Sequence, residues 1–163
     1  MFNTDANMSS PTSALETLKL FRIIFKSLTK HFHEVEKIVG IGGASLWAVA
    51  EISENSNMTV TALAKAMSIH QSTASNLIDK LVTDGYVSRL KNAEDRRSVY
   101  LTLTTKGRDI LLKAPPPYRG ILPDALMNLQ PEILAELHQS LSTLISKMQL
   151  TQTDSALEPL GKN

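Results

Sequence analysis

The chain has 163 residues, enough for one domain to bury a substantial apolar core without metals or disulfides. It contains no cysteine, which excludes disulfides, cysteine zinc ligands and thiol nucleophiles, and which fits a reducing cytoplasm. No stretch of about 18 apolar residues is present, so no membrane-spanning helix is predicted. The polar stretch 1–13 lacks the basic and apolar blocks of a secretory signal. We therefore expect a cytoplasmic protein with no membrane partner.

The net charge of +1 is unevenly distributed along the chain. Between positions 59 and 110, eight basic residues stand against five acidic ones, which gives +3 and leaves −2 for the rest. A local surplus of positive charge favours binding to phosphates even when the total is near zero. This stretch is therefore the first candidate for a functional surface.

The N-terminal region is predicted to be helical over 13–39. Its apolar residues recur in steps of three and four: Leu15, Leu18, Phe21, Phe25, Leu28, Phe32 and Val35. Ile23 and Ile24 widen this stripe, so we expect the helix to bury one side in its own domain and another against a second subunit. Glycines between 40 and 43 end the helix, and a second helix is predicted over 44–54.

A helix-turn-helix is predicted next, with helices over 59–67 and 70–84. Ser68 takes the turn position, where many such motifs have glycine, and Gly85 is placed to end the second helix. The second helix has an apolar stripe made of Ala74, Leu77, Ile78, Leu81 and Val82. This stripe predicts that the opposite face is exposed.

A two-stranded ribbon follows the second helix. Val99, Leu101 and Leu103 alternate with polar residues, which is typical of a strand with one buried face. The partner strand is predicted over 86–90, and 91–98 is left as a hairpin loop.

Helix is predicted to resume at Thr105, but the prolines at 115–117 must interrupt it. A short helix is expected over 122–129, and a last helix from Pro131 to about Met148. The last helix carries a coiled-coil-like seam of Leu134, Leu137, Leu141, Leu144 and Met148.

The outward face of the second helix of the helix-turn-helix carries polar side chains near its start. Amides can bond adenine bidentately, and hydroxyls can meet bases or phosphates. The residues expected to read bases are Gln71, Ser72, Ser75 and Asn76. The residues expected to meet phosphates are Thr59, Thr61, Thr73 and Lys80. Polar residues at a helix start also cap helices, but the preceding helix and the following basic ribbon favour DNA reading.

The ribbon tip carries Arg96 and Arg97, where a guanidinium could enter a minor groove. A solvated turn is the alternative, although the loop is longer than a tight hairpin requires. Asp95 is expected to orient Arg97 through a carboxylate–guanidinium pair.

The run Asp95-Arg-Arg-Ser-Val-Tyr-Leu-Thr-Leu-Thr104, followed by Lys106-Gly107, resembles the wing of the multiple antibiotic resistance regulator (MarR) family. Leu63-Ala64 through Leu81, then Asp84-Gly85-Tyr86-Val87, resembles the same family's winged helix-turn-helix. The resemblance covers roughly 15–148. It implies a mainly α fold with a small β-wing, in which the winged helix-turn-helix spans about 44–104. Dimerisation helices would span about 13–39 and 105–149 of a single domain over 13–150, between disordered tails 1–12 and 151–163.

The same resemblance implies a function. Family members are homodimeric transcription regulators, so a repressor on a pseudo-palindromic DNA operator is expected. Many members bind a small aromatic or phenolic effector between the dimer helices and the DNA-binding lobe. Asp95 and Arg97 match the family's Asp-x-Arg wing positions, and 71–76 match the start of its recognition helix. The prolines at 115–117 depart from the family's continuous helix after the wing.

Other functional classes have weaker support. His31, His33, Glu34 and Glu36 suggest a metal-responsive regulator, but helix positions two apart point to nearly opposite sides. No nucleophile–base pair stands out, so no catalytic residue, metal ligand or cofactor is predicted, and an enzyme is not expected. A winged helix used for protein contacts is the main alternative, since a fold alone does not fix function.

Overall fold

A computed structural model of the chain describes residues 11–91, 99–148 and 157–159. The elements within these ranges are α1 Pro11–Val39, α2 Gly43–Glu54, α3 Val60–Ala66, α4 Gln71–Thr83, β1 Val87–Lys91, β2 Val99–Leu103, α5 Thr105–Lys113, α6 Ile121–Met127 and α7 Pro131–Lys147. The predicted fold class, mainly α with a small β-wing, is confirmed. α1 begins two residues before the predicted start, so Pro11 and Thr12 belong to the helix rather than to a disordered tail.

The centre of the fold is α2, most of whose residues are buried. Leu46, Ala48, Val49 and Ile52 are buried, and α2 contacts α1, α3, α4, α5 and β2. The same core takes in Leu63, Ile78, Leu81, Val87, Leu101 and Ile110 from the surrounding elements. Burying each large aliphatic side chain contributes about 1.5–3 kcal/mol, so this cluster holds the lobe around α3 and α4 in place.

α1 is buried only at its C-terminal end. Leu28 and Val35 of the predicted stripe lie in the core, whereas Leu15, Leu18 and Phe25 are exposed in the single chain. The prediction that α1 uses one stripe against its own domain therefore holds for the second half of the helix alone.

The helix-turn-helix is set by a cap and a turn. The Thr59 hydroxyl oxygen accepts a hydrogen bond from the Ala62 N–H at 3.1 Å, which satisfies a free donor at the start of α3. Ser68 adopts φ 51°, the left-handed conformation that glycine would adopt at less cost. Behind the turn, the Ile69 N–H donates to the Ala64 carbonyl oxygen at 3.0 Å. α4 then packs on the core through Ala74, Ile78 and Leu81.

The ribbon lies against the end of α4 and the start of α5. β1 and β2 are antiparallel, with Val87 opposite Leu103 and Lys91 opposite Val99. The Thr104 hydroxyl donates to the Gly85 carbonyl oxygen at 2.7 Å and accepts from the Gly107 N–H at 3.1 Å. A Cβ at Gly107 would lie 2.1 Å from the Tyr86 carbonyl oxygen, so only glycine permits this approach of α5 to the ribbon.

The predicted interruption at the prolines is confirmed, since α5 ends at Lys113 and α6 begins at Ile121. In between, the Tyr118 hydroxyl donates to the Leu111 carbonyl oxygen at 3.2 Å. α7 follows with its seam largely exposed, Leu134, Leu144 and Met148 included. None of the helices in the described part of the chain is both long and apolar enough to span a bilayer.

Candidate nucleic-acid interface

The exposed side of α4 carries most of the predicted base-reading residues. Gln71, Ser72 and Asn76 are exposed, and Ser75 is half-buried. Because Ala74, Ile78 and Leu81 anchor the opposite side, these polar side chains project together from the first two turns. A helix start with exposed amides and hydroxyls can form hydrogen bonds to base edges in a major groove.

Thr73 lies elsewhere. The sequence placed it among the phosphate contacts, but its residue surface is only 8% exposed. Its hydroxyl donates to Glu158 Oε1 at 3.4 Å, so the segment 157–159 covers it. This segment belongs to the tail that was expected to be disordered. The sequence offers no signal for the contact, since 85 positions separate the two residues.

The other predicted phosphate contacts lie on two parts of the lobe, the start of α3 and α4. Thr61 is exposed in the first turn of α3, next to Thr59, whose oxygen caps that helix. Lys80 is exposed on the flank of α4 that faces α1. Thr61 therefore lies on a different helix from Lys80, as two contacts to separate stretches of backbone would require.

The wing is fixed to α4 by an ion pair that sequence reasoning missed. Arg89 on β1 donates to the Asp79 carboxylate at 2.5 Å, and both side chains are partly exposed. The pair orients the first wing strand relative to the exposed polar face of α4 and neutralises an acidic group there. Asp95, Arg96 and Arg97 lie outside the described residues, between Lys91 and Val99.

A cavity of about 610 Å³ separates α1 from α4. Its wall is largely apolar, with Phe25, Phe32 and Leu77 among the lining residues. The polar groups that border it are His33, Glu36, Asn76 and Lys80, and Pro159 lies at one side. An aromatic wall beside a cation suits a flat ligand that bears an acidic group.

A second polar cluster joins α2 to the segment after the prolines. Glu51 is 6% exposed, and its Oε1 accepts from Trp47 Nε1 at 2.8 Å and from Arg119 Nε at 2.9 Å. Arg119 also reaches the Glu54 carboxylate at 3.1 Å. This arrangement satisfies a buried carboxylate and ties the region before α6 to the core helix.

The histidines of α1 are arranged as helix geometry requires. His31 is half-buried beside the Phe32 ring, whereas His33 borders the cavity. Within the described ranges, no three or more histidine, aspartate or glutamate side chains come together in a way that could hold a metal ion.

Comparison with known proteins relates this fold to a protein family. The MarR family profile matches residues 45–99, from α2 to the start of β2. The repressor YetL of Bacillus subtilis (strain 168) is 30% identical over 97 residues, which cover 56% of this chain and 58% of YetL. The repressor MprA of Escherichia coli (strain K12) is 24% identical over 163 residues, which cover 98% of this chain and 93% of MprA.

Two solved structures share the fold. A MarR mutant from E. coli complexed with operator DNA has 25% identity and a TM-score of 0.52, with 80% of this chain and 96% of that chain covered. The transcriptional regulator BldR from Sulfolobus solfataricus has 26% identity and a TM-score of 0.51, with 81% and 96% covered. Residues 45–99 of this chain therefore carry a MarR-family domain.

The matched family consists of transcription regulators and not of enzymes, which confirms the predicted DNA-binding transcription regulator and the expectation that the chain is not an enzyme. The matched range contains the whole helix-turn-helix and the outward face of α4. The prolines at 115–117, where this chain departs from the family's continuous helix, lie outside the matched range 45–99.

Proposed function

We propose that the chain is a transcription repressor that binds double-stranded DNA as a homodimer in the cytoplasm. The observation that carries this proposal is the exposed polar face of α4, where Gln71, Ser72 and Asn76 project from a helix anchored on its other side. YetL and MprA are named as repressors, which supports repression. The MarR mutant complexed with operator DNA supports DNA as the partner.

On this proposal, α4 enters a major groove. Gln71 and Asn76 hydrogen-bond adenine edges, and Ser72 and Ser75 contact bases or nearby phosphates. Thr59, Thr61 and Lys80 contact the phosphate backbone. In the wing, Arg96 and Arg97 enter the flanking minor groove, with Asp95 orienting Arg97.

The dimer is proposed from the apolar faces that a single chain leaves exposed. On α1 these are Leu15, Leu18, Leu20, Ile23 and Ile24, and on α7 they are Ile133, Leu134, Leu144 and Met148. Covering such residues with a second copy removes apolar area from water at about 25 cal/mol per Å². Two-fold symmetry then sets two copies of α4 about 34–36 Å apart, which requires a pseudo-palindromic operator.

An effector is proposed for the cavity between α1 and α4. Its volume of about 610 Å³ suits a small aromatic or phenolic molecule. The ring would lie against Phe32 and Leu77, with an acidic group near Lys80. Because the cavity joins the dimer helix to the recognition helix, a ligand there would change their relative position and disfavour the DNA-bound state.

Titration with sheared genomic DNA across a salt series tests the DNA-binding part. Affinity should fall steeply with salt, because phosphate contacts release counterions. Affinity that barely changes with salt would favour the protein-contact alternative instead.

Base reading is tested on the preferred site selected from random DNA. Asn76→Ala should cost about 1–3 kcal/mol on that site and little on random DNA. Thr83→Ala, an exposed polar change in the last turn of the same helix, is the matched control and should leave both affinities near wild type. Equal losses on both DNAs would contradict base reading by Asn76.

Effector binding is tested by thermal shift with a panel of aromatic acids and phenols. A binder should raise the unfolding temperature and weaken DNA binding. A panel in which no compound does either would contradict the effector.

A further inference from the structure

The segment Leu157–Pro159, here called the strap, lies on the start of the recognition helix. The Leu157 carbonyl oxygen accepts a hydrogen bond from the His70 N–H at 3.2 Å. The next residue, Glu158, accepts one from the Thr73 hydroxyl at 3.4 Å. Pro159 borders the cavity beside Asn76 and Lys80. Three successive residues therefore follow one flank of α4.

The strap lies at the start of α4, a position that attracts anions. His70 is the residue before the first turn of α4, and Thr73 is the third residue of that helix. Free N–H groups and the helix dipole make a helix start attractive to anions, including DNA phosphates. The strap brings a carboxylate to that end, and it covers the one predicted phosphate contact, Thr73, that is buried.

We propose that the strap is an autoinhibitory contact that competes with the DNA backbone for the start of α4. This inference rests on the proposed function, since it needs α4 to be the DNA-reading helix. A phosphate and the Glu158 carboxylate are both anions, so they repel each other and cannot share the Thr73 hydroxyl. DNA therefore binds when the strap has left, and Thr73 then becomes available to the backbone.

The contact is weak enough to be displaced. Its hydrogen bonds include the two from α4, one of them long, and the entropy lost when the strap becomes ordered offsets part of their free energy. Apparent affinity falls in proportion to the fraction of molecules in the competent state, so a strap closed in four of five molecules lowers it about fivefold. The strap thus sets the affinity without abolishing binding.

Glu158→Gln in the full chain tests this. The variant should bind DNA about three- to tenfold more tightly at moderate salt, because the competing charge is gone. Glu132→Gln removes the same charge from an exposed position at the start of α7 and should leave affinity unchanged. This control separates a local effect from a change in net charge. Equal affinity of Glu158→Gln, Glu132→Gln and wild type would overturn the proposal.

The unfolding temperature of Glu158→Gln, measured together with its DNA affinity, separates an autoinhibitory contact from a merely structural one. If the strap only buttressed α4, Glu158→Gln would lower both the unfolding temperature and DNA affinity, and that result would overturn the proposal. An autoinhibitory strap predicts tighter DNA binding with an unfolding temperature that is unchanged or lower. Amide hydrogen exchange at His70 should also be faster in Glu158→Gln than in wild type, and equal rates would count against the contact.

DNA binding by wild type, Gln71→Ala and Glu158→Gln shows whether the strap proposal alone is wrong or the proposed function is wrong as well. If Gln71→Ala weakens binding while Glu158→Gln changes nothing, α4 still reads DNA and the strap proposal is wrong. If the wild-type protein itself does not bind DNA, both the proposed function and the strap proposal are wrong.

Discussion

The start of α4 and the outer faces of α1 and α7 are both exposed, but they expose opposite chemistry. α4 offers Gln71, Ser72 and Asn76, whose hydrogen bonds water can satisfy until a base replaces it. α1 offers large apolar side chains such as Leu15 and Ile23, each about 60% exposed. A contiguous apolar surface of that kind marks an interface, whereas a polar helix start marks a reversible polar contact. We infer that the two regions serve two different partners.

A substitution where α5 meets the ribbon should destabilise the lobe that carries α4 without changing the exposed apolar side chains of α1 and α7. Gly107→Ala should lower the free energy of unfolding by about 3 kcal/mol, because its Cβ would lie 2.1 Å from the backbone oxygen of Tyr86 and neither backbone can yield cheaply. Denaturant unfolding at a fixed protein concentration measures this.

Gly42→Ala is the matched control for Gly107→Ala. No atom lies within 4 Å of a Cβ built there, and φ is −68°, so the loss should stay below about 1 kcal/mol. Equal stability of the two variants would contradict the close approach of α5 to the ribbon.

The apolar region can be altered while the polar one is left intact. Ile23→Glu should weaken the proposed dimer by at least about 3 kcal/mol, more than a hundredfold in the dimer Kd, because the charge would be buried twice across a symmetric interface. Sedimentation measures the Kd. Leu90→Glu changes a side chain of similar exposure on β1, 55% against 61%, and should leave association unchanged. A dimer equally affected by both changes would place the interface elsewhere.

The sequence predicted both regions because each depends on local periodicity. Ala74, Ile78 and Leu81 fix which side of α4 faces inward, so the exposed side follows from spacing alone. The links between elements were missed because they join distant positions. Arg119 and Glu51 are 68 residues apart, and no helical or strand period relates them. The strap on α4 was missed for the same reason, so Thr73 was wrongly expected to be exposed.

The link between α2 and the segment before α6 depends on one side chain. Arg119→Ala should lower the free energy of unfolding by about 1–2 kcal/mol, because Glu51 loses its cation, although the arginine is 36% exposed and water screens part of the pair. Trp47 emission should change as well, since its indole shares the Glu51 oxygen. Arg119→Lys keeps the charge but loses the two-pronged geometry, so an intermediate loss is expected. No loss in either variant would mean that water replaces the arginine at Glu51.

The smallest expected effect concerns the turn that sets the angle between α3 and α4. Ser68→Gly should raise the free energy of unfolding by about 0.5 kcal/mol, because relief of the left-handed conformation at φ 51° exceeds the entropy that glycine gains in the unfolded chain. Ser53→Gly makes the same chemical change at an exposed position inside α2 and should lower it by about 0.5–1 kcal/mol. Opposite signs for one substitution at two sites would isolate the backbone as the cause. A loss at both would mean that the Ser68 side chain contributes more than its conformation costs.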